Sequence, residues 1–127
     1  MRPARDPRRF TARLGELLAA AWLVLKGYRI AARNWRCAQG EIDLIARRGE
    51  LLVFVEVKTR TSRAVGAPEE AVTAAKRARL VRLAQVYLSR YRGPTPGCRF
   101  DVVAVDASRF PPRLRHLPGA FRADDVV

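Results

Sequence analysis

Gly40-Glu41-Ile42-Asp43-Leu44-Ile45-Ala46, followed across Arg47-Arg48-Gly49-Glu50 by Leu51-Leu52-Val53-Phe54-Val55-Glu56-Val57-Lys58-Thr59-Arg60, is the stretch on which the fold of this chain turns. Both halves alternate. Ile42, Leu44 and Ala46 stand against Glu41 and Asp43, and Val53, Val55 and Val57 stand against Phe54, Glu56 and Lys58. That period of two predicts a β-hairpin, with the Arg47–Glu50 stretch as its turn. Residues opposite one another in an antiparallel pair share a face. If Ala46 pairs with Leu51, Asp43 faces Phe54 and is diagonal to Glu56. With the register slid by two, Asp43 stands directly opposite Glu56. In either register Asp43, Glu56 and Lys58 lie on one face, whereas a slip by one would bury every charge beneath a sheet lined with valines. Glu56 and Lys58 are then about 6.6 Å apart along the strand.

The chain around this hairpin is 127 residues long and 49% hydrophobic, which suffices for one domain with a single core and leaves no room for two. Its formal net charge of +13 exceeds what solubility requires and points to a polyanionic partner, nucleic acid or an anionic surface. Of the 25 basic residues only Lys26, Lys58 and Lys76 are lysines. Arginine is the better bidentate phosphate binder, so phosphate contact alone would not select lysine at those places, and the three lysines carry more information than the arginines. Cys37 and Cys98 are too few for a disulfide framework and have no zinc-like spacing. A single histidine, His116, cannot build a histidine metal site or a Ser-His-Asp triad, so it reads as structural or superficial. The apolar run at residues 17–25 is too short to span a membrane and no small-x-small cleavage site follows promptly. A cytoplasmic protein with no membrane partner is therefore expected.

Working outward, Asp6-Pro7 reads as a helix cap and first turn, with Thr11 as a competing start and Gly27 as the stop. Phe10, Leu14, Leu17, Leu18, Ala21, Trp22 and Leu25 recur at helical spacing and predict the core face. Glu16 falls on a second stripe, among Ala12, Ala19, Ala20 and Leu23. Taken by itself it reads as a helix-edge glutamate paired with an arginine. Residues 28–35 read as a first strand, with Trp35 packed beside it rather than stacking on a base. After the hairpin comes a loop holding Arg60, Arg63 and Gly66, then a helix opened by Pro68 with Glu69 and Glu70 in its first turn. Its core face is Leu80, Leu83, Ala84, Tyr87, Leu88 and Tyr91, with Lys76 on or beside that stripe and Arg77 fanning out. Residues 98–106 predict a further strand, 113–117 a short edge strand, and Ala120-Phe121 a docking tail. Residues 1–5 and 124–127 are expected to be mobile. Helix, three strands, helix, strand and a small C-terminal piece give an α/β fold around a mixed central sheet flanked by helices.

Two acids and a lysine on adjacent strands of a very basic domain suit metal-assisted hydrolysis of a phosphodiester. Oxygen ligands favour Mg²⁺ or Mn²⁺, which Asp43 and Glu56 would hold, with Lys58 orienting water or meeting the developing charge. The competing interpretation of such a face is a set of cross-strand ion pairs with no chemistry.

The strings GEIDLIA and VFVEVKTR resemble the motif pair of the PD-(D/E)XK nuclease superfamily, with Asp43 as its acid and Glu56-Val57-Lys58 as its ExK element. More closely, the chain is similar to the YraN family of small bacterial proteins, predicted to be endonuclease-like. The similarity runs through Leu14-Gly15-Glu16, Gly27-Tyr28, Arg33-Asn34, the hairpin, Gly66, Lys76, Arg99-Phe100-Asp101-Val102-Val103 and Ala120-Phe121. The resemblance implies a single restriction-endonuclease-like domain over residues 1–127, related to Holliday junction resolvases. It also implies a glutamate of the first helix, matched by Glu16, joining Asp43 and Glu56 at the metal. Glu41 stands where the superfamily commonly has proline before the acid, a departure shared with the YraN family. From the charge and the resemblance together, Arg33, Arg60, Arg63, Lys76 and Arg77 are the expected nucleic-acid contacts, DNA is preferred over RNA as the partner, and a homodimer is expected. The alternative is a nucleic-acid-binding or assembly protein that keeps the fold without turnover.

Overall fold

The computed structural model describes residues 7–61, 73–93 and 97–123. Helix α1 (Pro7–Leu25) leads into strands β1 (Arg29–Cys37), β2 (Gly40–Arg48) and β3 (Leu51–Arg60), then helix α2 (Ala74–Arg90) and strands β4 (Gly97–Asp106) and β5 (Arg113–Phe121). The five strands form one sheet in chain order. Every neighbouring pair is antiparallel except β3 and β4, which are parallel and joined through α2. A parallel step needs such a crossover because the chain must return to the end at which it began. The sheet is mixed and carries one helix on each face, as in a restriction-endonuclease-like core.

Two cores follow. On the α2 side Ile42, Ile45, Phe54, Leu80, Leu83 and Phe100 pack together, with Trp35 edge-on to Tyr87 at 5.4 Å, so Trp35 is a packed residue as expected. On the α1 side Ala19, Leu23, Leu44, Val53, Val55 and Val103 form the second cluster.

The hairpin takes the second of the two registers that the pattern allowed. Ala46 pairs with Val53 and Arg48 with Leu51, leaving only Gly49 and Glu50 in the turn. Gly49 has φ +60, a conformation open to glycine at little cost.

Three expectations are corrected. Helix α2 begins at Ala74, where the extended Thr73 accepts a hydrogen bond from the backbone N–H of Lys76 as an N-cap. The expected start at Pro68, with Glu69 and Glu70, lies outside the described residues. The last strand runs to Phe121 and takes in the segment expected only to dock. Most importantly, α1 is turned the other way round. Its sheet-facing residues are Gly15, Ala19, Ala20 and Leu23, whereas Phe10, Leu14, Leu17, Trp22 and Leu25 of the expected core face are exposed. Both stripes of α1 are apolar, so periodicity could not choose between them. Close approach chose: a Cβ on Gly15 would collide with the Thr59 hydroxyl of β3, and the small residues let the helix lie against the sheet. Among the described residues no helix is long and apolar enough to cross a membrane.

Candidate active site

The site forms where β2 and β3 part. Their pairing ends at Leu44 and Val55, and one residue further on the Asp43 side chain accepts the Val57 N–H at 2.8 Å. Strict alternation also breaks at this point. Ile42 and Ile45 both belong to the α2-side core, while Leu44 and Ala46 belong to the α1 side. Across on β1, Asn34 lies between Arg33 and Trp35, whose partners are Leu44 and Ile42, and it adopts φ +51. Asparagine tolerates that left-handed conformation better than most residues. Its side-chain N–H donates to Glu16 Oε2 at 2.6 Å. The irregular backbone of two strands thus gathers Asp43 and Glu16 at one end of the sheet.

Glu16, Asp43, Glu56, Lys58, Thr11 and Thr59 line one cleft of about 570 Å³. A second of about 300 Å³ shares Glu16, Asp43 and Glu56 and adds Arg9, Arg13, Glu41 and Arg79. Burial pushes the Asp43 carboxyl up to about 7, and the neighbouring charges of Glu56, Glu16 and Glu41 add to that against the Val57 hydrogen bond. Burial likewise raises Glu56, with Lys76, Arg79 and Lys58 opposing it. Lys58 is lowered, by burial and by the charge and contact of Lys76. The acids repel one another and the lysines do the same, while Lys76, Arg79 and Lys58 partly offset the charge of Glu56.

Glu16 keeps the ion pair expected of it and also faces the acids. It pairs with Arg13 at 3.3 Å, as a helix-edge glutamate would, and it also lines the acid cleft. Its Oε2 is held by Asn34 and Arg13. Among the described residues no three His, Cys, Asp or Glu side chains converge into a ready-made metal cage. The donors that fit a hard cation are therefore Asp43 and Glu56, in line with Mg²⁺, which takes one or two protein carboxylates and keeps several waters.

Of the expected nucleic-acid contacts, Lys76 comes to the site beside Lys58 and Glu56. Arg60 lies next to Lys58 in a neighbouring cavity of about 180 Å³, together with Arg113 and Arg115. Arg33 sits exposed on β1 and lines neither acid cleft, and the Arg77 guanidinium covers the Phe121 ring at 5.5 Å to its centroid. Arg63 lies outside the described residues. The sequence alone gives no site signal for Arg113 and Arg115, Asn34 enters only through the family similarity, and Arg79 reads equally as a solvated residue or a phosphate contact. Arg79 could have been found, since it stands three residues from Lys76 on the same helix.

The only histidine belongs to a different cluster. Asp101, fully buried, receives two hydrogen bonds from Arg99 at 2.8 Å, one from the Gly119 N–H at 2.9 Å and one from His116 Nε2 at 2.6 Å. Arg99 also donates to the Tyr28 hydroxyl, and Lys26 Nζ meets His116 Nδ1 at 2.7 Å. An ammonium can only donate, so Nδ1 accepts and Nε2 carries the proton given to Asp101. Burial opposes ionisation of Asp101, but Arg99, Gly119 and His116 more than offset it and hold its carboxyl below the usual range. This is a clamp joining β4, β5 and the segment after α1, and His116 is structural as expected.

Residues 15–105 match the profile described as uncharacterised protein family UPF0102. The chain is 49% identical over 119 residues to a UPF0102 protein of Anaeromyxobacter dehalogenans, covering 94% of this chain and 89% of that one. It is 61% identical over 92 residues to one of Symbiobacterium thermophilum, covering 72% and 78%, and 52% identical over 106 residues to one of Beutenbergia cavernae, covering 83% and 90%.

Proposed function

The chain belongs to the UPF0102, or YraN, family, and we propose that it is a metal-dependent endonuclease that hydrolyses phosphodiester bonds in DNA, branched or otherwise structured DNA in particular. The observation that carries this is the meeting of Asp43, Glu56 and Lys58 in one cleft, with both carboxylates pushed toward protonation and the lysine away from it. Neutral surroundings would leave such a cluster unfavourable, and a bound cation would relieve it. Asp43 and Glu56 would hold Mg²⁺ or Mn²⁺, and Asn34 holds the Glu16 side chain in the same cleft. When bound, the ion supplies charge stabilisation to the scissile phosphate and lowers the pKa of its water.

The chain's own groups divide the remaining work. Lys58 orients the attacking water and meets the charge that develops on the phosphate. Lys76, Arg79 and Arg60 bring the phosphate backbone toward the acids, and the excess positive charge makes that binding salt-sensitive. Because the Asp43 carboxyl is raised to about 7, it would be free to hold a cation only as the pH climbs through that region, and activity is expected to rise with it.

The rival is a nucleic-acid-binding or assembly protein without turnover, against which the cluster of Asp43, Glu56 and Lys58 argues, since binding alone would gain nothing from an acid pair facing phosphate. A panel of single-stranded, duplex and four-way-junction DNA, incubated with and without Mn²⁺, separates the two. The nuclease predicts Mn²⁺-dependent cleavage that Glu56→Ala reduces at least about 100-fold. Cleavage unchanged in Glu56→Ala would falsify the assignment. Binding that neither Mn²⁺ nor Asp43→Asn alters, without any cleavage, selects the rival.

A further inference from the structure

Helix α1 presents an apolar stripe on the side opposite the sheet. Gly15, Ala19, Ala20 and Leu23 face inward, while Phe10 is 62% exposed, Leu14 45%, Leu17 49%, Val24 53% and Leu25 82%. Positions 10, 14, 17, 21 and 24 advance by four, three, four and three residues, the 3.5-residue repeat of a seam that packs against another helix at a small crossing angle. A contiguous row of large apolar side chains on this scale marks an interface rather than ordinary surface.

We propose that this stripe is covered by the same stripe of a second copy, with the two α1 helices antiparallel about a two-fold axis at Leu17. Two features of the chain select this occupant. The first is fit. In that arrangement Leu17 meets its counterpart, Leu14 meets Ala21, and Phe10 meets Val24, so a larger side chain faces a smaller one on either side of the axis. The second is charge. The molecule carries +13, yet residues 17–25 hold no charged side chain, which makes this a face where two such cations can approach with little repulsion. Helix α1 also lacks an acidic residue in its first turn and a basic residue in its last. An antiparallel partner supplies what its C-terminal end is missing, because Arg9 and Arg13 of each copy come alongside the partially negative last turn of the other.

A helix of 19 residues is about 28 Å long, and each acid cleft borders the N-terminal half of its own α1. The pairing therefore sets two clefts at opposite ends of the interface, on one particle. Symmetric closure of this kind is the commonest form of homo-oligomer. The pairing stands whether or not the clefts are catalytic, since it is read from mass and cross-linking and not from turnover.

Light scattering and sedimentation at tens of micromolar give the test. The expected mass is twice the 14.3 kDa of the chain, falling to 14.3 kDa in Leu17→Glu, with the circular dichroism melt retained because Leu17 is exposed in the single copy. In a Cys37→Ser/Cys98→Ser background, Leu17→Cys should oxidise to a disulfide-linked dimer, and a cysteine placed at the exposed Ser89 should not. A wild-type mass of 14.3 kDa throughout would overturn the proposal and assign the stripe to another segment of the chain or another partner. So would a dimer that Leu17→Glu leaves intact or that Leu17→Cys cannot cross-link.

Discussion

Asp43 and Asp101 are aspartates within strands of the same sheet, and they titrate in opposite directions. Asp101 receives four hydrogen bonds, two of them from a guanidinium, and its carboxyl lies below the ordinary range. Asp43 receives a hydrogen bond from the Val57 N–H and has three other acids acting on it, and it lies at about 7. Burial penalises both charges, and what differs is the company. Around Asp101 each neighbour supplies a hydrogen or a positive charge, so the group is finished within the protein. Around Asp43 the principal neighbours are of like sign, so its charge is poorly compensated within the protein. The first arrangement serves stability and the second has the character of a site that gives up stability for function.

The contrast can be broken most forcefully at its stable end. Asp101→Ala leaves Arg99 and His116 without their shared acceptor and is expected to cost about 3–5 kcal/mol, seen as a large fall in the chemical-denaturation midpoint. A loss below about 1 kcal/mol would show that the clamp is dispensable and the comparison misplaced.

Gly15→Ala comes next, at about 2 kcal/mol, because the added methyl meets the Thr59 hydroxyl and forces α1 from β3. It should also loosen Glu16 beside the cleft, so a measured loss of Mn²⁺ affinity would accompany the loss of stability. Stability and affinity both unchanged would mean that the close approach is not what orients the helix.

Asp43→Asn should move the other way and stabilise by about 1 kcal/mol at pH 8. The sign follows from the shift. A carboxyl whose folded pKa is raised contributes stability that is present below its unfolded value of 3.8 and lost as the pH climbs through about 7. The gain from Asn should therefore vanish near pH 4, and thermal melts across pH 4–8 report it. For Asp101 the sign reverses: its lowered carboxyl contributes stability above the unfolded value, which is lost as the pH falls toward and below it.

The smallest effect belongs to Lys26→Met. Its bond to His116 lies at the exposed edge of the clamp, so a loss of about 0.5 kcal/mol is expected in the same melts. A loss as large as that of Asp101→Ala would make the ammonium a full member of the clamp.

The strand pattern made much of this legible in advance. The hairpin, the choice of β2 and β3 as carriers of the acids, the apolar face of α2 and the mixed α/β architecture all follow from residue period and turn chemistry. These are local properties, and a strand cannot shift by one residue without inverting its faces. The pattern also reduced the hairpin to two registers of equal parity. Asp43, Glu56 and Lys58 line one cleft together with Glu16, although the alternation that grouped the first three breaks at Asp43 itself.

What only the tertiary structure decided lay where local signals were equal or absent. Between the two registers, the two-residue turn at Gly49-Glu50 settled the matter and set Leu44 level with Val55, the residues next to Asp43 and Glu56. Between the two apolar stripes of α1, the row of Phe10, Leu14 and Leu17 has the greater hydrophobicity and points outward. The smaller row around Ala19 lies against β3 because the sheet admits no bulk there. The break in alternation at Asp43, the left-handed Asn34 and the gathering of Arg99, His116 and Lys26 around Asp101 are likewise unions of residues far apart in the chain. A sequence determines the faces that its elements can offer. Which of two apolar faces turns inward, and which buried acid finds partners enough, is settled by shape and charge when the elements meet.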